Sequence, residues 1–293
     1  MNKQLREVSV AGSTLLRGIG QIMLQDNTWT GVFLLAGIFC SSWMAGVATV
    51  VAVFTGTATA KLLNYADTEI RMGWYGFNAA LTGVAFVFFY QPSLLLCIMI
   101  IVGSAVSSVI HHLLIKRKFP SYTFPFIIVT WLFMSVTSAI PGLVEQQTVF
   151  NATPFNDYMR LFSYSFGQVI FQESRCAGLL FVLGVFIGRP VAALYAIAGI
   201  AVSAAIAYGF HQQEQDIFSG IWSYNAVLCA IVFTGKKAAH ILKTLVAVVL
   251  SVAVLMLMKF MKLPALTFPF VVAVWVTLLI PSRKETASGK KTG

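Results

Sequence analysis

Apolar residues along this chain form long continuous runs separated by short polar breaks, a pattern typical of membrane-spanning helices. Several runs approach the roughly 20 residues that a helix needs to cross a hydrocarbon core of about 30 Å. The breaks predict ten helical spans, at residues 28–43, 45–62, 73–90, 93–115, 123–140, 176–188, 190–208, 218–234, 239–258 and 265–281. The sequence lacks the period-2 alternation of membrane β-strands, so it predicts an all-α polytopic membrane protein.

The composition agrees with a chain that lies in a lipid bilayer. Hydrophobic residues make up 58% of the 293 positions, and charged residues make up only 10%. A soluble domain carries about 25% charged residues, because its surface must face water. The composition therefore excludes a soluble enzyme or a soluble binding domain.

The formal net charge of +10 reflects membrane topology rather than nucleic-acid binding. Ten spans with both termini in the cytoplasm place sixteen basic residues inside, namely Lys3, Arg6, Arg17, Lys61, Arg71, Lys116, Arg117, Lys118, Arg189, Lys236, Lys237, Lys243, Arg283, Lys284, Lys290 and Lys291. They place four outside, namely Arg160, Arg175, Lys259 and Lys262. Cytoplasmic loops carry such an excess of Lys and Arg. The distribution predicts a multi-pass protein of the cytoplasmic (inner) membrane, with both termini inside and no nucleic-acid partner.

Three motifs occur twice, in the same order, once in each half of the chain. The segment GIGQIMLQDN, which contains Gln21, returns as SFGQVIFQES, in which Gln168 stands 147 positions later. The aromatic-Asn pair that begins at Phe77 returns at the same distance, beginning at Tyr224. The segment TFPF returns unchanged 144 positions later. A tandem duplication explains this regularity.

Each repeat is predicted to contain five spans and one short helix that carries the glutamine motif. The apolar stretch around Gln21 is too short to cross a bilayer, which leaves an interfacial helix or a re-entrant half-helix. Because five is odd, the second repeat enters the membrane upside down, and inverted repeats place the substrate site between them near the midplane. The predicted divisions are a first repeat at 1–140 with its half-helix at about 8–25, an external connecting loop at 141–157, a second repeat at 158–281 with its half-helix at about 158–172, and a basic cytoplasmic tail at 282–293.

Chemically reactive side chains are sparse within the spans. The four cysteines stand singly without CxxC spacing, which predicts free buried thiols rather than a zinc site or a disulfide framework, and no cofactor is indicated. Asp26 and Glu173, just past the half-helices, are expected to cap backbone N–H groups or to pair with Arg175. His111 and His112, at an inner span end, are expected to have a solvated, structural role. Since ion-coupled transporters usually carry carboxylates or histidines inside their spans, this distribution favours passive permeation.

The paired GQxxxQ segments, GFNAALTG with SYNAVLCA, and the doubled TFPF resemble the urea transporter (urea channel) family. The likeness covers roughly residues 13–281, and the compact length is similar to that of the bacterial branch. The resemblance implies a channel for passive, selective permeation of urea, assembled as a homotrimer with a separate pore in each protomer. It also implies that each pore runs between the two half-helices, through a narrow filter flanked by aromatic slots.

The family motifs place eleven residues of this chain along the expected pore. They are the polar residues Gln21 and Gln168 at the half-helix ends, Val169, the slot positions Leu24, Phe77, Phe171 and Tyr224, the apolar wall residues Leu81 and Leu228, and the filter residues Thr123 and Thr267. Three positions depart from the family pattern. Leu24 stands where an aromatic residue is usual, Tyr224 replaces phenylalanine, and Ser223 replaces the glycine found at Gly76.

The residue types also suit urea on chemical grounds. Urea is flat, neutral and rich in N–H donors, and free helix-end carbonyls together with Gln and Thr side chains supply acceptors without charge. An unpaired polar group in an apolar passage costs on the order of 1–3 kcal/mol, so a row of partners lowers the barrier. Asn78 and Asn225 are interpreted as holding helix ends in place rather than as ligands.

Other functions are weighed against this one. The passage could carry another small neutral amide, or ammonia, instead of urea. An intramembrane enzyme is not expected, because HExxH and GxSxG motifs and paired intramembrane aspartates are missing from the sequence. A non-transporting scaffold would show no solute-dependent permeability.

Overall fold

The described part of the chain is helical, as the apolar runs predict. The computed structural model describes residues 3–137, 144–146 and 157–281. Within these residues the regular elements are α-helices and two 3-10 turns, with one isolated β-bridge between Tyr90 and Glu145. Most of the expected external loop, and the expected basic tail, lie outside the described residues.

Fourteen α-helices follow one another in these residues. In chain order they are α1 Lys3–Gly20, α2 Thr28–Ser41, α3 Trp43–Leu62, α4 Asp67–Arg71, α5 Phe77–Phe89, α6 Leu94–Lys116, α7 Phe124–Thr137, α8 Tyr158–Gly167, α9 Arg175–Gly188, α10 Pro190–Gly209, α11 Glu214–Phe218, α12 Tyr224–Val232, α13 Ala238–Phe260 and α14 Phe268–Leu278. Each predicted span and each predicted half-helix overlaps one of them, so the all-α prediction is confirmed. The short helices α4 and α11 are additions that the run pattern does not predict.

The two half-helices, α1 and α8, each end in a 3-10 turn. These turns are Gln21–Met23 and Gln168–Ile170. Helix α8 with its turn meets α9 at a bend of 81°, the geometry of a broken span or a re-entrant segment. The chain therefore changes direction at the glutamine motif, which is where the sequence predicts that the half-helix ends.

The helices differ in length more than the run pattern predicts. Helices α3, α6, α10 and α13 have 20 to 23 residues and are each long enough to cross a hydrocarbon core alone. Helices α2, α5, α7 and α14 have 11 to 14 residues, and α12 has 9. A 13-residue helix such as α5 rises only about 20 Å. Several runs that look like full spans are therefore shorter helices, because turns take up the rest of the run.

Contacts between the two halves come in matched pairs. The indole N–H of Trp131 donates to the carbonyl of Pro264 at 2.9 Å, and that of Trp275 donates to the carbonyl of Pro120 at 2.8 Å. Trp275 follows Trp131 by 144 positions, and Pro264 follows Pro120 by the same number. Reciprocal contacts of this kind are what a twofold axis between equivalent units produces. The duplicated halves therefore face each other across such an axis.

Helices α2 and α9, which are equivalent in the two halves, pack antiparallel. The hydroxyl of Thr30, near the start of α2, donates to the carbonyl of Gly184, near the end of α9, at 2.8 Å. At the other end of the pair, Cys40 of α2 meets Cys176 of α9. Two equivalent helices that run in opposite directions require the twofold axis to lie across them rather than along them.

Cys40 and Cys176 form a disulfide across 136 positions of sequence, so the expectation of free thiols is wrong for this pair. Cys97 and Cys229 are free, and of these two Cys229 is buried. The spacing of cysteines along the chain cannot reveal this bond, because antiparallel packing of α2 against α9 brings the two ends together. The bond ties the first half covalently to the second.

A glycine lets each half-helix approach the helix that follows it. A Cβ atom added to Gly31 would lie 1.8 Å from the carbonyl oxygen of Leu16, and one added to Gly178 would lie 1.8 Å from that of Ser163. Gly178 follows Gly31, and Ser163 follows Leu16, by 147 positions. The duplicated glycines thus fix how closely the half-helix lies against its neighbour in both halves.

The disulfide provides a test of the packing between the halves. Peptide mapping of the purified, non-reduced protein is expected to recover the peptides of Cys40 and Cys176 as one cross-linked species, because the structure joins their sulfur atoms. Substituting Cys40→Ser should leave Cys176 open to alkylation, whereas Cys97→Ser should leave the cross-link intact. Recovery of both peptides as separately alkylated species from untreated wild-type protein would contradict this packing.

Candidate functional site

The residue that follows each 3-10 turn lies in the left-handed region of backbone conformation. Leu24 and Phe171 both have φ of 57°, and their N–H groups donate to the carbonyls of Gln21 at 2.9 Å and Gln168 at 3.2 Å. Glycine is the usual residue at such a helix end, since a side chain there costs on the order of 1–2 kcal/mol. Both predicted slot positions thus carry a side chain in a conformation that usually favours glycine.

Two further glutamines hold the tips of the half-helices. The Gln25 amide donates to the carbonyl of Met23 at 3.0 Å, and the Gln172 amide donates to that of Ile170 at 2.8 Å. A helix end leaves its last carbonyls without intrahelical partners, and each of these buried amides satisfies one of them. Sequence reasoning assigns them no role, because their repetition does not distinguish a tip-holding glutamine from a pore-facing one.

The two predicted pore glutamines make matched backbone contacts. Nε2 of Gln21 donates to the carbonyl of Met72 at 3.2 Å, and Nε2 of Gln168 donates to that of Ser219 at 3.3 Å. Met72 and Ser219 are themselves 147 positions apart. Each amide thereby links a half-helix tip to the turn that precedes α5 or α12.

The acidic residue beyond the second tip has a different partner from the one expected. The Glu173 carboxylate accepts a hydrogen bond from Nε2 of Gln168 at 2.8 Å. Arg175 forms its ion pair with Asp157, the residue that caps the start of α8. The expected pairing of Glu173 with Arg175 is therefore wrong. Glu173 contacts a predicted pore residue instead.

The two predicted filter threonines meet directly. Oγ1 of Thr123 lies 2.7 Å from Oγ1 of Thr267, and both residues are buried. Equivalent residues that contact each other must lie on the twofold axis that relates them. Each is preceded by a residue in the left-handed region, Tyr122 with φ of 43° and Leu266 with φ of 45°. The backbone therefore turns sharply just before α7 and again just before α14, and each turn places a threonine hydroxyl at the axis.

The asparagines of the aromatic-Asn pairs hold the starts of these helices. Oδ1 of Asn78 accepts from the N–H of Phe126 at 3.2 Å, and its Nδ2 donates to the carbonyl of Tyr122 at 3.1 Å. Oδ1 of Asn225 accepts from the N–H of Phe270 at 3.1 Å. These contacts agree with the interpretation that the asparagines position helix ends.

The surroundings of the two asparagines differ. In the first half, Nδ1 of His111 lies 3.3 Å from Nδ2 of Asn78 and 3.0 Å from the hydroxyl of Ser121. His111 is buried, so the expectation that it is solvated is wrong. In the second half, no described residue partners Nδ2 of the buried Asn225. There the hydroxyl of Tyr224, absent from its counterpart phenylalanine, donates to the backbone carbonyl just before the filter threonine.

The remaining predicted pore residues gather around one apolar core. Buried in it are Phe77, Leu81, Val169 and Leu228, while Leu24, Phe171 and Tyr224 pack against it and keep part of their surface exposed. The ring of Phe77 lies edge-on to the imidazole of His111, with 5.1 Å between ring centroids. The fold thus brings together residues that lie far apart in sequence, on both half-helix tips and at the starts of α5 and α12.

A cavity of about 610 Å³ opens beside Phe171, with Phe88, Gln91 and Gln172 among its lining residues. The ring centroid of Phe171 lies 5.1 Å from that of Phe88 and 5.9 Å from that of Phe89. Sequence reasoning misses these two phenylalanines, because the second half has no aromatic residues at the matching positions. The Phe171 side of the core therefore has more aromatic surface than the motifs indicate.

These features define a class of protein. Two half-helices end in turns that pack against one apolar core, and buried amide and hydroxyl side chains lie near those turns and at the starts of α7 and α14. Among the described residues, no group of three or more His, Cys, Asp or Glu side chains is placed to hold a metal ion. Such an arrangement offers hydrogen bonds to a small neutral solute within a membrane, which is the chemistry of a solute channel or transporter.

Comparison with known proteins makes the class specific. The family model for urea transporters matches residues 13–282. The chain is 24% identical over 296 residues to Urea transporter 1 of Rattus norvegicus, covering 91% of this chain and 76% of that protein. It is 23% identical over 294 residues to Urea transporter 1 of Ovis aries, covering 92% of this chain and 77% of that protein. This protein belongs to the urea transporter family, and the resemblance of its repeated motifs is confirmed.

Removing the Asn78 amide tests its role at the start of α7. Asn78→Ala deprives the N–H of Phe126 and the carbonyl of Tyr122 of buried partners, which should lower the free energy of unfolding by about 1–3 kcal/mol. Thermal unfolding in detergent measures this as a lower midpoint. Gln213→Ala is the matched control, because that exposed side chain makes no cap bond to α11. Equal midpoints for the two variants would contradict the structural role.

Proposed function

We propose that this protein conducts urea passively and selectively across the cytoplasmic membrane, through a passage of its own in each protomer. The observation that carries the proposal is the meeting of Thr123 and Thr267 on the twofold axis. When one hydroxyl donates to the other, the pair keeps one free O–H and several lone pairs. That set complements urea, which has one carbonyl acceptor and several N–H donors.

The proposed passage runs between the half-helix tips. Gln21 and Gln168 would bind urea on either side of the threonine pair. The slot positions Leu24, Phe77, Phe171 and Tyr224, with Leu81, Val169 and Leu228, would form apolar walls that accept a flat solute and crowd out bulkier ones. An ion gains no replacement for its hydration in such a passage. The buried environment and the uncharged polar groups support selectivity for neutral solutes.

Passive permeation is supported by the partners of nearby carboxylates. Asp26 lies 3.7 Å from Arg17, and Glu173 accepts a hydrogen bond from Gln168. A proton- or sodium-coupled mechanism usually needs an ionisable group inside the spans that can change its charge during transport. Both carboxylates have partners, and the buried imidazole of His111 lies within hydrogen-bond distance of Ser121 and Asn78. Because these ionisable groups have partners in the resting structure, downhill movement of urea is favoured.

The proposed topology has two inverted repeats with both termini in the cytoplasm. The antiparallel packing of α2 against α9 supports the inversion. The disulfide between Cys40 and Cys176 supports the orientation, because both cysteines belong to helix ends that the charge distribution assigns to the outside. Disulfides form and persist in oxidising compartments. The divisions at residues 1–140, 141–157, 158–281 and 282–293 belong to this proposal.

A homotrimer in the lipid bilayer is the proposed assembly. Many large apolar side chains are exposed on the outer surface of the protomer, among them Trp43, Phe54 and Leu94. Such surface suits either lipid or a neighbouring protomer, and the resemblance to the urea channels favours three protomers.

Light scattering of the purified protein, corrected for detergent, should give three times the mass of one chain.

Flux measurement tests the proposed function directly. Proteoliposomes that contain the protein should take up urea faster than protein-free vesicles in stopped-flow light scattering, because the passage replaces hydration by hydrogen bonds. The rate should be the same with and without a pH or sodium gradient. Urea uptake equal to that of empty vesicles would refute the function, and gradient dependence would refute the passive mechanism. Faster uptake of another small amide or of ammonia would favour those permeants.

Loss of one filter hydroxyl should slow the flux. Thr267→Val keeps the shape of the side chain but removes a hydrogen-bond partner, so urea permeability should fall by roughly tenfold, the equivalent of about 1.4 kcal/mol in the barrier. Thr277→Val is the matched control, since that buried hydroxyl bonds within α14 to the carbonyl of Ala273. Wild-type flux in Thr267→Val protein of normal stability would show that the threonine is only structural.

A further inference from the structure

The amide of Gln168 is held by two acceptors at once. Its Nε2 lies 2.8 Å from Oε1 of Glu173 and 3.3 Å from the carbonyl oxygen of Ser219. An amide nitrogen carries two hydrogens, so both are used, and the group that remains to be offered is the amide oxygen. Reversing the amide would set that oxygen against a carboxylate and a carbonyl, neither of which can donate. The two acceptors therefore fix which way the amide points.

The equivalent glutamine of the first half is held differently. Nε2 of Gln21 donates to the carbonyl of Met72 at 3.2 Å, which uses one of its two hydrogens. The acidic residue that follows, Asp26, lies 3.7 Å from the guanidinium of Arg17 instead. In the second half a tyrosine, Tyr164, occupies the position that corresponds to Arg17. The two tips thus carry the same amide and the same kind of acid in two different arrangements.

The Glu173 carboxylate does not pair with Arg175, its nearest basic neighbour in sequence. Arg175 forms its ion pair with Asp157 at the start of α8 instead. Glu173 itself is half-buried, two residues beyond Phe171. It is therefore close in sequence to a predicted slot residue, and its hydrogen bond is to Gln168.

We propose that Glu173 is a positioning residue, which locks the Gln168 amide with its oxygen toward the permeant. This inference rests on the proposed function. A fixed acceptor at this tip favours solutes that approach with N–H groups, as urea does on two sides. If the lock were removed, the amide could rotate and present its NH₂ group to the N–H groups of urea. Two donors facing each other form no hydrogen bond, so the second tip would lose its preference for urea.

Substitutions at Glu173 can change the length of the side chain and its charge separately. Glu173→Gln removes the charge but keeps an oxygen at the same reach, so it should hold the Gln168 amide. Glu173→Asp keeps the charge but shortens the side chain by one methylene, so it should release the amide. Glu173→Ala removes both. Asp26→Ala is the matched control in the other half, since Asp26 pairs with Arg17 rather than with the glutamine.

The experiment measures urea and formamide permeability of proteoliposomes by stopped-flow light scattering, with protein-free vesicles subtracted. Formamide carries one NH₂ group where urea carries two, so fewer of its approaches need an acceptor at this tip. Glu173→Ala and Glu173→Asp are expected to lower urea permeability by about tenfold, the rate equivalent of one lost hydrogen bond, and to lower the urea-to-formamide ratio. Glu173→Gln and Asp26→Ala should keep both values within about twofold of wild type.

The variants distinguish the positioning role of Glu173 from a role of its charge and from a purely structural role. A role for the bare charge predicts that Glu173→Gln loses flux and Glu173→Asp keeps it, which would overturn the proposal. A purely structural role predicts lower thermal stability with an unchanged urea-to-formamide ratio, which would also overturn it. If Glu173→Ala does not fold, the Gln and Asp variants still decide the question, because they make opposite predictions.

Failure of this proposal can be distinguished from failure of the proposed function. Wild-type protein that conducts no urea refutes the function itself. Wild-type protein that conducts urea, with all four variants unchanged, refutes the positioning role alone. A double variant supplies a further check, since Glu173→Ala should have no additional effect on the ratio in a Gln168→Leu background. An effect that persists in that background would show that Glu173 acts independently of the amide.

Discussion

The whole structure depends on satisfying the polar backbone groups at helix ends that lie inside an apolar body. A hydrocarbon environment offers no water to bond them, and each unsatisfied group costs several kcal/mol. At the half-helix tips, the amides of Gln25 and Gln172 bond to free carbonyls. At the starts of α7 and α14, Asn78 and Asn225 accept from backbone N–H groups. Because these groups are paired, other uncharged amides and hydroxyls remain to form hydrogen bonds with a solute in the proposed passage.

The twofold relation explains why the site is built from pairs, and its exceptions explain why the two ends of the site differ. Thr123 and Thr267 lie on the axis and are alike. Away from the axis the pairs diverge. Leu24 stands in one half where Phe171 stands in the other, and Glu173 bonds to an amide while Asp26 pairs with Arg17. Duplication fixed the backbone, through the backbone contacts at Gly31 and Gly178. Side chains at equivalent positions were then free to differ, so the two ends of the proposed passage have different surfaces.

Much of the fold and some of the site can be predicted from this sequence, for physical reasons that particular residues illustrate. The constant offset between Gln21 and Gln168 reveals the duplication, because equivalent backbone positions need equivalent residues. Helix lengths are less predictable, since an apolar run does not show where a turn interrupts it, as before Phe77. Phe88 and Phe89 escape prediction because only one half carries them. The partner of Glu173 escapes because a nearby arginine, Arg175, is an equally good candidate until Asp157 is placed beside it.

The sequence by itself determined that this chain is an all-α membrane protein, that it is duplicated, and that it resembles the urea transporters. Those properties follow from hydropathy and repetition, which are local or periodic along the chain. The tertiary structure decided the rest. It joined Cys40 to Cys176, buried His111, and brought Glu173 to Gln168. Each of these depends on which direction two elements run and how closely they approach, and that information exists only when the halves are packed together.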